Sequence, residues 1–100
     1  MIISNSALKK CSAKGAFVVK NDRGLHTRPS TEIVKCAASF KSDIQLIHQG
    51  TKVNAKSLLG ILMLAAARGA KIVVNAHGED AEEAVDSLLR LADNQFNMNY

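Results

Sequence analysis

Hydrophobic and polar positions recur along the chain with distinct periods, and those periods mark seven elements. Ala16 to Lys20 holds Phe17 and two valines in a short run, which predicts a strand closed by the turn-forming residues Asn21, Asp22, Arg23 and Gly24. From Thr27 the period becomes helical. Ile33, Ala37 and Phe40 fall at i, i+4 and i+7, flanked by Val34 and Cys36. Pro29 falls in the first turn of that helix, where backbone amides need no intrahelical acceptor, so it fits. Asp43 to Gln49 then alternates, with Ile44, Leu46 and His48 on one face and Gln45 and Ile47 on the other. Gly50 and Thr51 turn the chain into Lys52 to Ala55, so residues 43–55 read as a hairpin.

Ser57 is a good N-cap for the apolar segment Leu58 to Ala67, which ends at Gly69. Continuous hydrophobicity there also suits a buried strand, but Gly60 and the alanines favour a short helix lying on the molecule. Ala70 to Ala76 reads as a strand, followed by a turn at Gly78, Glu79 and Asp80. Asp80, Glu82 and Glu83 place acids in the first turn of a last helix, whose apolar face carries Ala81, Ala84, Val85, Leu88, Leu89, Leu91 and Ala92. The order β-α-β-β-α-β-α predicts an α+β fold, an open-faced two-layer β-sandwich of a four-stranded antiparallel sheet with three helices on one face. The polar alternates Gln45, Lys52 and Asn54 suit a second face open to water. Residues 1–12 read as a polar N-terminal extension of low order, and residues 13–100 as a single domain without internal repeats.

Composition narrows the class. One hundred residues make one modest domain with little room for an enclosed substrate chamber. A hydrophobic content of 47% with 22% charged residues argues against disorder. The net charge of +4 hides a gradient: Met1 to Lys71 holds twelve Lys or Arg against three acids, and the remainder holds Arg90 against six acids. Such a field steers an acidic partner. A nucleic-acid-binding module is the weaker reading of that charge, because no Lys/Arg run exceeds two residues and aromatic interleaving is absent. Cys11 and Cys36 make neither a disulfide framework nor a metal-ligand spacing. The N-terminus lacks the apolar core of a signal peptide, and the apolar stretch Ile61 to Ala67 is too short to span a bilayer. A cytoplasmic protein without membrane insertion is the expectation.

The chemistry concentrates at His26. It stands between the glycine turn and the first helix, where Ser, Thr, Asp or Asn usually caps. A ring nitrogen there lies beside the amides of Thr27 and Arg28, at a helix end that favours negative charge. Arg28 adds a planar cation suited to phosphate oxygens, and an imidazole that is largely neutral at physiological pH can attack phosphorus. The plainer alternative is that His26 only caps the helix and Arg28 is a surface arginine. His48 and His77 read as structural or surface residues, Cys36 as helix filler, and Cys11 as part of the extension. Lys56 reads as a source of positive field or a solvated lysine, and Glu79, Asp80, Glu82 and Glu83 as turn and helix-start acids rather than metal ligands.

The succession Gly24, Leu25, His26, Thr27, Arg28, Pro29, Ser30 resembles the active-site signature of HPr, the histidine-containing phosphocarrier family of the bacterial phosphoenolpyruvate:sugar phosphotransferase system. Asn54 to Ile61 resembles that family's second signature, around its regulatory serine, and the resemblance covers residues 14–96 with the same element order. It implies that phospho-enzyme I phosphorylates His26 on Nδ1, that Arg28 positions the phosphate beside the Thr27 and Arg28 amides, and that a IIA-type domain takes the group on. It implies that an HPr kinase/phosphorylase modifies Ser57, and that Leu25, Thr27, Leu58, Leu59, Gly60 and Leu62 form a docking surface. No cofactor, metal or nucleic acid is implied, and the carrier is expected to be a monomer rather than a self-sufficient enzyme. Rival readings are a regulatory relative acting by protein binding and the nitrogen-related branch with other acceptors. Three features depart from the family pattern: the extension, the polar and aromatic tail Asn94 to Tyr100, and Ser30 in place of the commoner alanine.

Overall fold

The structure, a computed structural model, describes residues 12–98. Its elements are β1 (Ser12–Val18), α1 (Thr27–Ala38), β2 (Asp43–His48), β3 (Thr51–Asn54), α2 (Leu58–Met63), β4 (Lys71–His77) and α3 (Ala81–Asp93), followed by a short turn at Gln95–Asn97. The four strands form one antiparallel sheet, as the order of elements predicts, and lie in it in the order β1-β4-β2-β3. Except for Ser12 in β1, the extension lies outside the described residues. Among the described residues no helix is long and apolar enough to cross a membrane.

Alternation settles which face is covered. Ile44 and Leu46 of β2, Phe17 of β1, and Ile72, Val74 and Ala76 of β4 are buried beneath the helices, and their neighbours in sequence point the other way. Over them lie Ile33 and Ala37 of α1, Ile61 of α2, and Ala84, Val85, Leu88 and Ala92 of α3. Gly15, opposite Val74 in the ladder, lets α3 close on the sheet: a Cβ there would stand 2.9 Å from both Leu89 Cδ1 and Val85 Cγ1. At the hairpin, Gln49 and Gly50 both take positive φ, 49° and 83°, which is the turn geometry that matches strand twist.

Two elements differ from the sequence expectation by several residues. β1 starts at Ser12 and ends at Val18 rather than running from Ala16 to Lys20. Ser12, Ala13 and Lys14 have little intrinsic strand preference, but pairing with His77, Ala76 and Asn75 of β4 supplies their order. α2 stops at Met63, four residues before Ala67. The amides of Leu64 and Ala65 bond back three residues, to Ile61 and Leu62, and Ala65 turns left-handed at φ 49°. The buried Leu64 and Ala66 that made the segment look helical fill the core from a loop.

Two long-range contacts hold the ends together. Asp80 occupies the N-cap position of α3 but makes no side-chain cap hydrogen bond. Its carboxylate instead accepts from the Lys41 amide (2.9 Å), the Ser42 amide (3.0 Å) and the Ser42 hydroxyl (2.5 Å), latching the α1–β2 loop. At the other end Gln95, Phe96 and Asn97 all take positive φ. The turn is held by the buried Phe96 ring packed edge-on against Phe17 (centroids 5.7 Å apart), by Asn21 Nδ2 donating to the Gln95 carbonyl (3.0 Å), and by Asn97 Nδ2 donating to Glu32 (3.2 Å). The described part of the off-pattern tail therefore straps the loop before His26 to α1 and α3.

The Ser42 hydroxyl, followed by the Lys41 amide, holds the Asp80 carboxyl below its ordinary value against a smaller opposing effect of desolvation. A depressed folded value means that the latch stabilises fully above the unfolded value of about 3.9 and fades as pH falls through the folded one. Asp80→Asn is accordingly expected to lower the melting temperature at pH 7, with the gap to the unsubstituted protein closing as pH drops below about 4. Thermal melts across pH 2–7 check this, and a gap independent of pH would contradict it.

Candidate functional site

The loop that carries the candidate histidine hangs on the segment after α2. Antiparallel pairing continues past the end of the β1–β4 ladder: Val19 N donates to the Ala70 carbonyl (2.9 Å), Gly69 N to the Val19 carbonyl (2.8 Å), and Leu25 N to the Ala66 carbonyl (2.9 Å). Arg68 bridges Asp22 across the same seam at 2.8 Å. Gly24, at φ 70°, makes the approach possible, because a Cβ there would run into the Ala66 carbonyl and the Ala67 Cα.

His26 then takes the N-cap of α1 with extended backbone (φ −79°, ψ −169°), as predicted, and its side chain makes no cap hydrogen bond. Its ring is half-buried, and Nε2 has less than 1 Å² of accessible surface. The solvent-facing part of this residue thus lies away from Nε2. Thr27 and Arg28 are exposed in the first turn. One turn in, Ser30 is fully buried; its amide donates to the His26 carbonyl (3.1 Å) and its hydroxyl to the Leu25 carbonyl (3.0 Å). Pro29, also buried, fits the first turn without cost.

Ser57 caps α2 as its sequence context predicts, its Oγ accepting from the Gly60 amide at 3.1 Å. Lys56 is not a simple solvated lysine: its Nζ donates to the Phe40 carbonyl after α1 at 2.8 Å, and its amide donates to Asn54 Oδ1. The apolar exposure beside the site comes from Leu58, Leu59 (69%) and Met63 (71%). Leu25 is a core residue at 4% exposure, while Gly60 and Leu62 are half-buried. The seam explains Leu25: the hydrogen bond from its amide to Ala66 turns the side chain under the loop. Met63 was missed by the sequence reading, although its i+4 spacing from Leu59 puts the two on one helical face. Arg23, exposed in the turn before Gly24, is a second cation on the His26 loop that the sequence reading passed over.

The remaining candidates lie elsewhere. His48 Nδ1 is 3.4 Å from the Lys71 carbonyl, and His77 Nδ1 is 2.9 Å from Ser12 Oγ. Cys36 is half-buried in α1, and burial pushes its thiol pKa up, away from the reactive thiolate. Cys11 lies outside the described residues. Among the described residues no group of three or more His, Cys, Asp or Glu is placed to hold a metal ion.

The family model described as the PTS HPr component phosphorylation site matches residues 13–94. The phosphocarrier protein HPr of Xylella fastidiosa (strain 9a5c) is 40% identical over 81 residues, covering 81% of this chain and 91% of that protein. The crystal structure of HPr-C-His from Thermoanaerobacter tengcongensis superposes with a TM-score of 0.84 at 35% identity, covering 88% of this chain and 99% of that one. Bacillus subtilis Crh, the catabolite repression protein, crystallised as a dimer with a swapped domain, superposes with a TM-score of 0.67 at 37% identity over 79% of this chain and 91% of that one. Fold and matches together define a phosphocarrier of the phosphotransferase system. The chain belongs to the HPr family.

The different burial of two leucines that the sequence reading grouped together is measurable. Leu25→Ala should cost about 2–5 kcal/mol in urea unfolding, whereas Leu59→Ala should stay within about 0.5 kcal/mol of the unsubstituted protein. Equal costs would contradict the placement of Leu25 in the core.

Proposed function

We propose that the chain accepts a phosphoryl group from phospho-enzyme I on His26 Nδ1 and passes it to a histidine of a IIA-type sugar-permease component. The observation that carries this reading is a histidine at the N-cap of α1 whose Nε2 is sealed and whose ring is not used as a cap. In the first transfer the neutral His26 ring keeps its proton on Nε2, and the Nδ1 lone pair attacks phosphorus. The phosphorus–nitrogen bond to the donor imidazole breaks, and the electron pair leaves on that ring. The second transfer repeats the step with His26 as leaving group. Such loose, charge-spreading transfers depend on positioning and electrostatic stabilisation. The first-turn amides of Thr27 and Arg28, the dipole of α1 and the Arg28 guanidinium supply that stabilisation at this position.

Leu58, Leu59 and Met63 give partners a grip beside the transferred group, with Thr27, Gly60 and Leu62 at its margins; exposed aliphatic surface of this kind suits a shuttle that binds several partners in turn. Modification of Ser57 by an HPr kinase/phosphorylase fits the same surface. The phosphate would sit at the start of α2 and add a charge of about −1.5 to −2 next to Leu58 and Leu59, discouraging apolar or acidic partners. On this reading the protein is a cytoplasmic, monomeric carrier whose partners complete the active site, and residues 13–100 act as its single domain.

Incubation with phosphoenolpyruvate and enzyme I should give an acid-labile, alkali-stable phosphate. His26→Ala should abolish the label while retaining the circular dichroism spectrum of the folded chain. Label that persists in this variant would falsify the assignment.

A further inference from the structure

An N-cap residue ordinarily fixes the backbone at a helix start with its own side-chain oxygen. His26 cannot do this while its ring is kept for chemistry, and the structure shows that it makes no cap hydrogen bond. The two carbonyls that set the direction of the histidine, those of Leu25 before it and of His26 itself, are both held by one residue, Ser30. Its amide donates to His26 at 3.1 Å and its hydroxyl to Leu25 at 3.0 Å. The Leu25 peptide is fixed on its other side by the bond from its amide to Ala66.

Ser30 is fully buried, so water does not compete for the Leu25 carbonyl, and its hydroxyl has no route to a partner protein. Ser30 also stands where the family pattern commonly has alanine. Transfer chemistry therefore does not require the hydroxyl, and its contribution should be graded rather than all-or-none.

We infer that Ser30 is a positioning residue for phosphoryl transfer, whose buried hydroxyl replaces the missing cap and fixes the backbone that aims the His26 ring. The inference rests on His26 being the phosphoryl acceptor. A transfer that proceeds by alignment is sensitive to small angular freedom at the nucleophile, so the loss should fall on turnover. Docking on this reading uses the exposed Leu59 and Met63, whereas Ser30 is fully buried, so apparent affinity for the donor should not change.

The test compares the unsubstituted chain with Ser30→Ala, using enzyme I charged with phosphoenolpyruvate as donor, well below the melting temperature of both. Alanine is a good helix former and is smaller than serine, so the variant should fold. The expected result is a fall of about fivefold in kcat, the size of one lost hydrogen bond, with KM unchanged. Equal kcat values would overturn the inference even if Ser30→Ala melts at a lower temperature, because the hydroxyl would then be structural alone. A rise in KM at constant kcat would overturn it too, by placing Ser30 in docking. If the unsubstituted chain takes no label, the reading of His26 fails, and this inference with it.

Discussion

The site depends on a backbone seam in which residues 19–25 run alongside residues 66–70. Its bonds, from Val19 to Ala70, from Gly69 to Val19 and from Leu25 to Ala66, extend the β1–β4 ladder beyond the strands. They join two stretches 41 to 51 positions apart: the loop bearing His26 and the loop leaving α2. Only a glycine at position 24 allows the backbones to meet, since any side chain would strike Ala66 and Ala67. The functional consequence is geometric. Leu58, Leu59 and Met63 are thereby held in register with His26 through three short backbone bonds rather than through flexible side chains, an arrangement that suits the proposed transfer, whose rate depends on alignment.

The three helix starts show how the same physical problem is solved under different demands. α2 uses a conventional cap, Ser57 to the Gly60 amide. α3 begins at an aspartate that forgoes capping to latch Lys41 and Ser42 across the end of the sandwich. α1 begins at His26, where a conventional cap would occupy the position proposed for the phosphoryl group, and the restraint comes from Ser30 within the first turn. Each departure from the preferred cap residues is balanced by a contact visible only in three dimensions. This is where local sequence preference and function compete.

That competition also explains which parts of the fold were legible in the sequence. Ile44, Leu46, Ile72 and Val74 announce their strands because period-two burial is written directly in residue type. The end of α2 was not legible: Leu64 and Ala66 are as apolar as the helix before them, and only the left-handed Ala65 separates loop from helix. Leu25 and Met63 are equally silent about exposure, since burial depends on the seam and on the helical face respectively. The roles of Lys56 and Asp80 as ties to Phe40 and Ser42 required knowing that the end of α1 meets both the β3–α2 loop and the start of α3. At the site, the position of His26 at a helix start was legible from the turn and the change of period. The inward orientation of Nε2 was not, because it depends on packing.

The charge gradient along the sequence is only partly preserved by this topology. α1 runs away from His26 for twelve residues, about 18 Å at 1.5 Å per residue. Asp80 marks the far end by binding the loop that follows α1, so Glu79, Asp80, Glu82 and Glu83 gather opposite the histidine. Arg23, Arg28 and Arg68 stand on the loops and first turn at the His26 end. Asp93, the acid that α3 brings back to that end, lies 3.7 Å from Lys20, and Asp22 is bridged by Arg68. Exposed pairs of this kind contribute little to stability. Bases also stand at the far end, Lys35 in the last turn of α1, Lys41 in the loop that Asp80 binds and Lys56 tied to the Phe40 carbonyl, so the acids there are offset rather than left as a negative pole. What distinguishes the His26 end is local: Arg23 and Arg28 are exposed on either side of the histidine, and clustered cations raise the rate of encounter with an acidic surface. For the proposed transfer, they stand where an acidic partner surface would have to approach the start of α1, and this local pair, rather than the net charge of the chain, is what charge contributes at the site.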